Sequence, residues 1–200
     1  MSRAMRVVLA TSNRGKLGDF RLLFRGSGVE LTLPEELGLG MDVEEDGETF
    51  EDNALLKARA IGDNVDEPVM ADDSGLEVRA LGGAPGVLSA RYSGPDCDDH
   101  ANNLKLIEEL RGHSDRRAAF VCALALVFPD GQEIVTHGRC EGSIIDEERG
   151  SNGFGYDALF FRDDLGCTFG QASADEKNQR SHRAAAVRAM LAELMTRGLL

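Results

Sequence analysis

Long apolar segments are the first thing that this sequence lacks. Its longest apolar run, residues 118–128, is much shorter than the roughly 20 residues that a transmembrane helix needs. The N-terminal segment 1–5 also lacks the apolar stretch of a signal peptide. We therefore expect a soluble, cytoplasmic protein that does not contact membranes.

Linker-like and repetitive segments are absent as well. The five prolines are scattered, and no Pro-rich linker, low-complexity tract or repeat of fixed period divides the chain. Its 200 residues, 42% of them hydrophobic, are enough to bury one sizeable core. These features predict a single domain over residues 1–200, which we expect to have two lobes.

Cysteine pairs and an excess of positive charge are also lacking. The four cysteines form no C-x-x-C pair, which argues against a disulfide framework and against a zinc site. The net charge of −13 comes from 35 acidic and 22 basic residues with no basic stripe, so a nucleic-acid duplex would be repelled. A small phosphorylated ligand is compatible with this charge, because a local loop with basic side chains and backbone N–H groups can bind it beside a divalent cation.

Strand-like segments are distributed along the whole chain. They are predicted at 6–10, 68–71, 118–128, 132–140 and 156–161. The turn Pro129-Asp130-Gly131 separates two of them and is a good hairpin signal.

Helix-like segments lie between these strands. They are predicted from about Lys16, after Thr49, at 98–110 and at 181–197. In the helix at 98–110, Leu104, Ile107 and Leu110 recur at helical spacing and mark the expected apolar face. The interleaving of strands and helices predicts an α/β fold with a mixed sheet.

The turn at 11–16 (Thr11-Ser12-Asn13-Arg14-Gly15-Lys16) lies between a predicted buried strand and a helix N-terminus. Unpaired backbone N–H groups and the helix dipole favour an anion at such a place. The G-x-x-x-x-G-K-[ST] spacing of a P-loop is absent, and Leu17 stands where a magnesium-binding hydroxyl would be. These residues alone leave open a phosphate site and an ordinary polar turn.

Carboxylates are concentrated in two segments. Asp72 and Asp73 are predicted in a tight turn that ends the 68–71 strand, and adjacent residues of an extended chain point to opposite sides, so only one can face a given site. Segment 44–52 carries the acids Glu44, Glu45, Asp46, Glu48, Glu51 and Asp52. Both segments suit Mg²⁺, and both also suit ordinary turn or helix-dipole chemistry.

Two further segments suit a nucleobase. Phe154 stands between two glycines, so its backbone can approach a ligand and its ring can stack, although a core-filling role is equally open. Segment 177–183 concentrates hydrogen-bond donors before an Ala-rich helix, which is a useful arrangement for a base carbonyl. Ser181 can equally be an N-cap, and His182 a solvated surface histidine.

Six segments occur in a fixed order and spacing: A-T-S-N-R-G-K (10–16), T-F-E-D-N-A-L-L-K-A-R (49–59), A-D-D-S-G-L-E-V (71–78), G-G-A-P-G-V-L-S-A-R-Y-S-G (82–94), G-F-G-Y-D (153–157) and S-H-R (181–183). Together they resemble the inosine triphosphate pyrophosphatase family, whose bacterial members are dITP/XTP pyrophosphatases. The resemblance spans nearly the whole chain. Its departures are small: Asp19 stands where the family usually has Glu, Ala158 where bacterial members often have Pro, and segment 171–175 is atypical.

The resemblance implies an elongated α/β fold in which helices flank a long mixed sheet, and two lobes enclose a central nucleotide-binding cleft. It also implies a homodimer. The implied reaction is Mg²⁺-dependent hydrolysis of dITP, ITP, XTP and dXTP between the α- and β-phosphates, which gives the nucleoside monophosphate and pyrophosphate. Such an activity removes altered purine nucleotides before they enter DNA or RNA.

The same resemblance implies the roles of individual residues. Glu44 and Asp73 would hold the metal, and Asp73 would also activate water. The phosphates would be bound by Thr11, Ser12, Asn13, Arg14, Gly15 and Lys16, with assistance from Lys57 and Ser74. The base and sugar would be surrounded by Phe154, Gly155, Tyr156, Asp157, Lys177, His182 and Arg183.

Two other functions stay open at this level. A nucleotide-binding sensor would keep the site without turnover, but Asp73 and Glu44 argue against it, because a binder needs no water-activating carboxylate. A pyrophosphatase for modified pyrimidine triphosphates would use the same phosphate chemistry with a different base pocket. A substrate panel separates these functions.

Overall fold

The computed structural model describes residues 4–40, 43 and 45–200. Within them, seven strands form one mixed sheet in the order β2-β1-β3-β4-β5-β6-β7. Strand β1 is parallel to β2 and β3, whereas β6 is antiparallel to β5 and β7. The strands are β1 (Met5–Leu9), β2 (Val29–Thr32), β3 (Val69–Val78), β4 (Arg117–Val127), β5 (Glu133–Ile144), β6 (Phe160–Arg162) and β7 (Cys167–Thr168).

Helices flank this sheet, which confirms the predicted α/β fold. They are α1 (Arg14–Leu23), α2 (Phe50–Gly62), α3 (Asp99–Glu109), α4 (Ala174–Arg180) and α5 (His182–Thr196). Short 3₁₀ helices occur at Pro34–Leu37, Arg79–Leu81, Gly86–Arg91 and Gly155–Ala158. Among the described residues, no helix combines the length and the apolar character needed to cross a membrane.

Local signals explain where the first two helices begin. The side chain of Asn13 accepts a hydrogen bond from the Lys16 N–H and caps α1. Thr49 and Asp52 form a reciprocal capping box at the start of α2, so the predicted cap at Thr49 is confirmed. Asp52 therefore belongs to the helix cap rather than to a ligand site.

The chain divides into two compact units. The first comprises Met1–Asp73, Cys122–Gly138 and Arg183–Leu200. Its buried side chains form one cluster that includes Phe20, Met70 and Met190, and another that includes Ala58 and Ala71. Burial of each large side chain contributes about 1.5–3 kcal/mol.

The second unit comprises Ser74–Val121 and Arg139–His182. Its core contains Leu106, Phe120, Phe160 and Phe169, and the ring centroids of Phe120 and Phe160 are 4.5 Å apart. Tilted aromatic ring contacts of this kind add to the stabilisation from burial. Whether the two units behave as lobes of a single domain stays a prediction.

The predicted turn after Ala71 is wrong, because β3 continues through Asp72 and Asp73 to Val78. Along this strand, Met70 packs in the cluster that contains residues of α1 and α5, whereas Ala71 packs in the cluster that contains residues of α2. Strand alternation therefore aims Asp72 and Asp73 at different helices. Both carboxylates are buried and paired with cations, which allows them to lie inside a strand.

Other predictions are partly corrected. The hairpin at 129–131 is confirmed, since Phe128 N–H donates to Gln132 O between β4 and β5. The predicted strand at 156–161 is wrong in its first half, where the chain forms a 3₁₀ turn before β6. Leu104 is 53% exposed rather than on the apolar face of α3, because Asn102 and Asn103 occupy the buried face with Leu106.

Candidate functional site

The 11–16 turn connects β1 to α1 in the first unit. Its N-terminal side is held to β3, because Ala10 N–H donates to Met70 O at 2.7 Å. Within the turn, Asn13 N–H donates to Thr11 Oγ1 at 3.2 Å. Ser12, Asn13 and Arg14 are exposed, so the first N–H groups of α1 face a position that an anion can reach.

Asp72 lies beneath this turn with a side chain of zero exposure. Its Oδ2 is 3.0 Å from Lys16 Nζ and 3.9 Å from Arg183 Nε. Arg183 Nη1 is also 3.2 Å from Asp19 Oδ2. Two cations and two carboxylates thus form one network, and a buried carboxylate is tolerated there because it is paired.

Asp73 is in contact with residues of α2. Asn53 Nδ2 donates to its Oδ2 at 3.2 Å, and Lys57 Nζ is 3.7 Å from its Oδ1. Lys57 Nζ also lies 3.1 Å from Glu45 Oε1. Lys57, itself buried, therefore lies between two carboxylates.

Burial and the neighbouring charges shift the pKa values of Asp73 and Lys57. Burial raises the pKa of Asp73 above its ordinary value, and the nearby charges of Lys57 and Lys16 only partly oppose that effect. Burial also acts to lower the pKa of Lys57, but the carboxylates of Asp72, Asp73 and Glu45 outweigh it and leave the pKa raised. Lys57 is therefore a cation in this cluster.

Asn53 ties the acidic segment to Asp73. Its Oδ1 accepts the Gly47 N–H at 2.8 Å while its Nδ2 contacts the carboxylate of Asp73. A Cβ on Gly47 would lie 2.7 Å from that Oδ1, so only glycine allows this close approach. Of the two predicted metal ligands, Asp73 is in this cluster, and Glu44 lies outside the described residues.

The donor set of the cluster fits Mg²⁺. Magnesium prefers oxygen ligands and typically takes one or two carboxylates, leaving its other positions to water and phosphate. Asp73 and Glu45 both contact Lys57, so two carboxylates converge on one small region. In the described part of the chain, no group of three or more His, Cys, Asp or Glu side chains forms a metal-binding cluster.

The second unit contains the 153–157 loop. Asp157 is buried, and its Oδ2 accepts the Phe154 N–H at 2.9 Å and lies 2.5 Å from Lys177 Nζ. The same ammonium lies 4.8 Å from the centroid of the Phe154 ring. Gly153 has φ +77°, and a Cβ there would lie 2.1 Å from Asp157 Oδ2, so the loop requires glycine at this position.

Three further predicted site residues are His182, Ser74 and Tyr156. His182 is 2% exposed and stacks on Phe120 with centroids 4.9 Å apart, so its alternative interpretation as a surface histidine is wrong. Ser74 follows Asp73 in β3 and is half-buried. Tyr156 is buried, and its hydroxyl donates to Ser89 O at 2.8 Å.

The chain matches the model of the Ham1 family over residues 7–193. This chain belongs to the Ham1 family. A protein of Desulfotalea psychrophila named dITP/XTP pyrophosphatase is 44% identical over 187 residues, which cover 94% of this chain and 84% of that protein. A Bacillus cereus protein of the same name is also 44% identical, over 94% of both chains.

A solved structure of the Ham1 family has the same fold. The Staphylococcus aureus Ham1 protein superposes with a TM-score of 0.86 at 43% identity, covering 96% of this chain and 99% of that one. The family resemblance inferred from the six sequence segments is thereby confirmed.

Several residues at these sites escaped the sequence interpretation. Asn53 lies in the 49–59 segment of the resemblance but carries no predicted role, and Asp19 enters only as a departure from the family pattern. Asp99 and Asn103 contact the 153–157 loop from α3. For Asn103, the sequence signal is the pair Asn102-Asn103 inside a helix, where a buried polar face interrupts the apolar period.

Proposed function

We propose that this chain is a magnesium-dependent nucleoside triphosphate pyrophosphatase that hydrolyses dITP, ITP, XTP and dXTP to the nucleoside monophosphate and pyrophosphate. The names of its relatives support the reaction class. The observation that carries the proposal is the pair of adjacent carboxylates in β3: Asp72 is bonded to Lys16 of the 11–16 turn, and Asp73 is bonded to Asn53 and Lys57 of α2. The carboxylate that holds the Lys16 ammonium and the carboxylate for water thus occupy neighbouring positions of one strand.

Phosphate binding uses the 11–16 turn. The first N–H groups of α1 and the positive end of its dipole attract the phosphates. Lys16 adds a charge whose position is set by Asp72, so little reorganisation is needed as negative charge develops on the leaving pyrophosphate. Lys57 and Ser74 assist at the same end of the substrate.

Asp73 orients the attacking water and accepts its proton. Asn53 and Lys57 hold the carboxylate, so one of its oxygens can face the water in a fixed direction. Bound Mg²⁺, held by Asp73 and by the predicted ligand Glu44, would supply neutralisation of the phosphate charge. Water adds to a phosphorus as the bond between the α- and β-phosphates breaks, and the products are the monophosphate and pyrophosphate.

Base recognition uses the 153–157 loop and the residues around it. The Phe154 ring provides a stacking face, and Lys177 and His182 provide donors. An ammonium has three N–H donors, so Lys177 can bond Asp157 and a base carbonyl together. A donor that meets the 6-oxo group of hypoxanthine or xanthine meets another donor in adenine, which leaves a buried group unpaired.

The biological role and the assembly follow the same proposal. An enzyme of this specificity would remove altered purine nucleotides from the pool before polymerases use them. Homodimerisation and a cytoplasmic location, which the resemblance and the composition imply, stay predictions.

A substrate panel tests the proposed function. The purified chain with Mg²⁺ is given dITP, ITP, XTP, dXTP, dATP, dGTP and a modified pyrimidine triphosphate, and kcat/KM is measured for each. We expect the four 6-oxo substrates without a 2-amino group to exceed dATP and dGTP. A higher kcat/KM for the pyrimidine triphosphate would contradict the proposed specificity for altered purines. Tight binding without turnover would contradict the proposed enzyme and indicate a nucleotide-binding sensor.

A further inference from the structure

Helix α3 holds both main-chain polar groups of Gly155, the residue after Phe154. Asp99 Oδ2 accepts the Gly155 N–H at 2.7 Å, and Asn103 Nδ2 donates to Gly155 O at 3.2 Å. Asp99 and Asn103 are four residues apart and therefore lie on one face of the helix. One helix face thus holds both peptide groups that flank the Gly155 Cα.

The same helix face also contacts the segment before the loop. Asn103 Nδ2 donates to Glu148 Oε1 at 2.6 Å, and Glu148 Oε2 lies 2.8 Å from His100 Nδ1. Asn103 is 2% exposed, so its amide contacts are removed from competing water. The loop and the chain leading into it are therefore both bonded to α3.

The backbone at this point needs such support. Gly155 has φ +60°, in the left-handed region, and Phe154 is fully extended with φ −162°. Glycine samples both halves of φ space with little preference, so its own torsional preferences do not select this geometry. Asp157 and Lys177 contact Phe154 directly, and the α3 bonds to Gly155 add a second constraint on the orientation of the Phe154 ring.

We infer that Asp99 and Asn103 are positioning residues for nucleobase selection, which act by fixing Gly155 and with it the Phe154 ring. This inference rests on the proposed function, in which that ring stacks on the base. Neither side chain contacts the substrate. Their effect is on the selectivity between bases rather than on the phosphate chemistry.

The kinetic test compares Asp99→Ala and Asn103→Ala with the wild type for dITP and dATP. Each variant loses one hydrogen bond to the loop, so kcat/KM for dITP should fall roughly 3- to 10-fold. The decrease for dATP should be smaller, because its base gains less from the fixed ring, and the dITP-to-dATP ratio should narrow. Inhibition by tripolyphosphate, a ligand without a base, should be unchanged.

Two further variants separate positioning from helix stability. Asp98→Ala removes the α3 cap, in which Asp98 accepts the Ala101 N–H at 2.8 Å, but it breaks no bond to the loop. It should leave the ratio at the wild-type value. Asp99→Asn keeps an oxygen that accepts the Gly155 N–H and should restore most of the ratio. Equal losses for dITP and dATP in Asp99→Ala, or the same ratio change in Asp98→Ala, would overturn the inference.

A direct observation of the ring does not depend on turnover. The chain has no tryptophan, so Phe154→Trp introduces a single indole at the position of interest. Adding Asp99→Ala to this background should lower the fluorescence anisotropy and increase quenching by acrylamide, whereas adding Asp98→Ala should change neither. Unchanged anisotropy and quenching on adding Asp99→Ala would show that α3 does not position the ring, even in a chain that does not hydrolyse dITP. If adding Asp99→Ala makes the indole mobile but the wild-type chain does not hydrolyse dITP, the proposed function is contradicted and the positioning of the ring by α3 is not.

Discussion

Asp72 Oδ2 lies 3.0 Å from Lys16 Nζ, and the same oxygen is 3.9 Å from Arg183 Nε. One buried carboxylate therefore links the N-terminal turn of the chain to the start of its last helix. Its neighbour in β3, Asp73, accepts a hydrogen bond from Asn53 and lies 3.7 Å from Lys57 Nζ. Alternation along one strand thus places the two carboxylates among different partners.

Lys16→Ala should weaken binding of triphosphates regardless of the base. Its ammonium lies at the 11–16 turn, which we propose to bind only the phosphates, so KM should rise by a similar factor for dITP and dATP. Steady-state kinetics with both substrates measures this, and Lys105→Ala, on α3 in the second unit, is the control. A change in the ratio of the KM values for dITP and dATP would contradict this assignment and indicate that Lys16 acts on the base.

Lys16→Ala and Arg183→Ala should not act independently. Because both cations contact Asp72, the loss of either changes the position and charge balance of the other. The double variant should therefore lose less kcat/KM for dITP than the product of the two single losses. A double-mutant cycle checks this, and strictly multiplicative losses would show that the shared carboxylate does not couple them.

Asp73→Asn should abolish most turnover and leave the fold intact. The change is nearly isosteric, but it removes the charge that we propose to accept the proton of water and to bind metal, so kcat should fall roughly 10²- to 10⁴-fold. A thermal melt should stay close to that of the wild type. Asp66→Asn, which changes an exposed carboxylate of the same unit, should affect neither quantity.

Asp157→Ala should destabilise the protein strongly. It leaves the buried Lys177 ammonium without the carboxylate that lies 2.5 Å away, and breaking a buried pair in this way costs about 3–5 kcal/mol. Asp164→Ala breaks the half-exposed pairs with Arg162 and Arg180 and should cost only about 0–1 kcal/mol. Urea unfolding of both variants measures the difference, and equal costs would contradict the role of burial.

Much of the architecture could be predicted from local pattern. The hairpin between β4 and β5 and the start of α2 follow from turn and capping residues that act within a few positions. Helix α4 was missed, although Ser173 and Glu176 form a capping box, because its seven residues are too few for a clear apolar period. Strand β2 was also missed, since a strand of four residues carries too short an alternation.

The contacts of the site could not be predicted in the same way. The continuation of β3 through two aspartates depends on cations that lie far away in the chain, such as Lys16 and Arg183. The buried face of α3 contains Asn102 and Asn103, whose partners come from loops distant in sequence. Apolar periodicity therefore placed Leu104 on the wrong side, because buried polar residues are invisible to it.

The distribution of phosphate products tests the central proposal most directly. The chain is incubated with dITP and Mg²⁺, and pyrophosphate, orthophosphate, dIMP and dIDP are quantified at early times. Cleavage between the α- and β-phosphates predicts equal amounts of dIMP and pyrophosphate from the first time point, with neither orthophosphate nor dIDP formed. Orthophosphate released in step with accumulating dIDP would contradict the account.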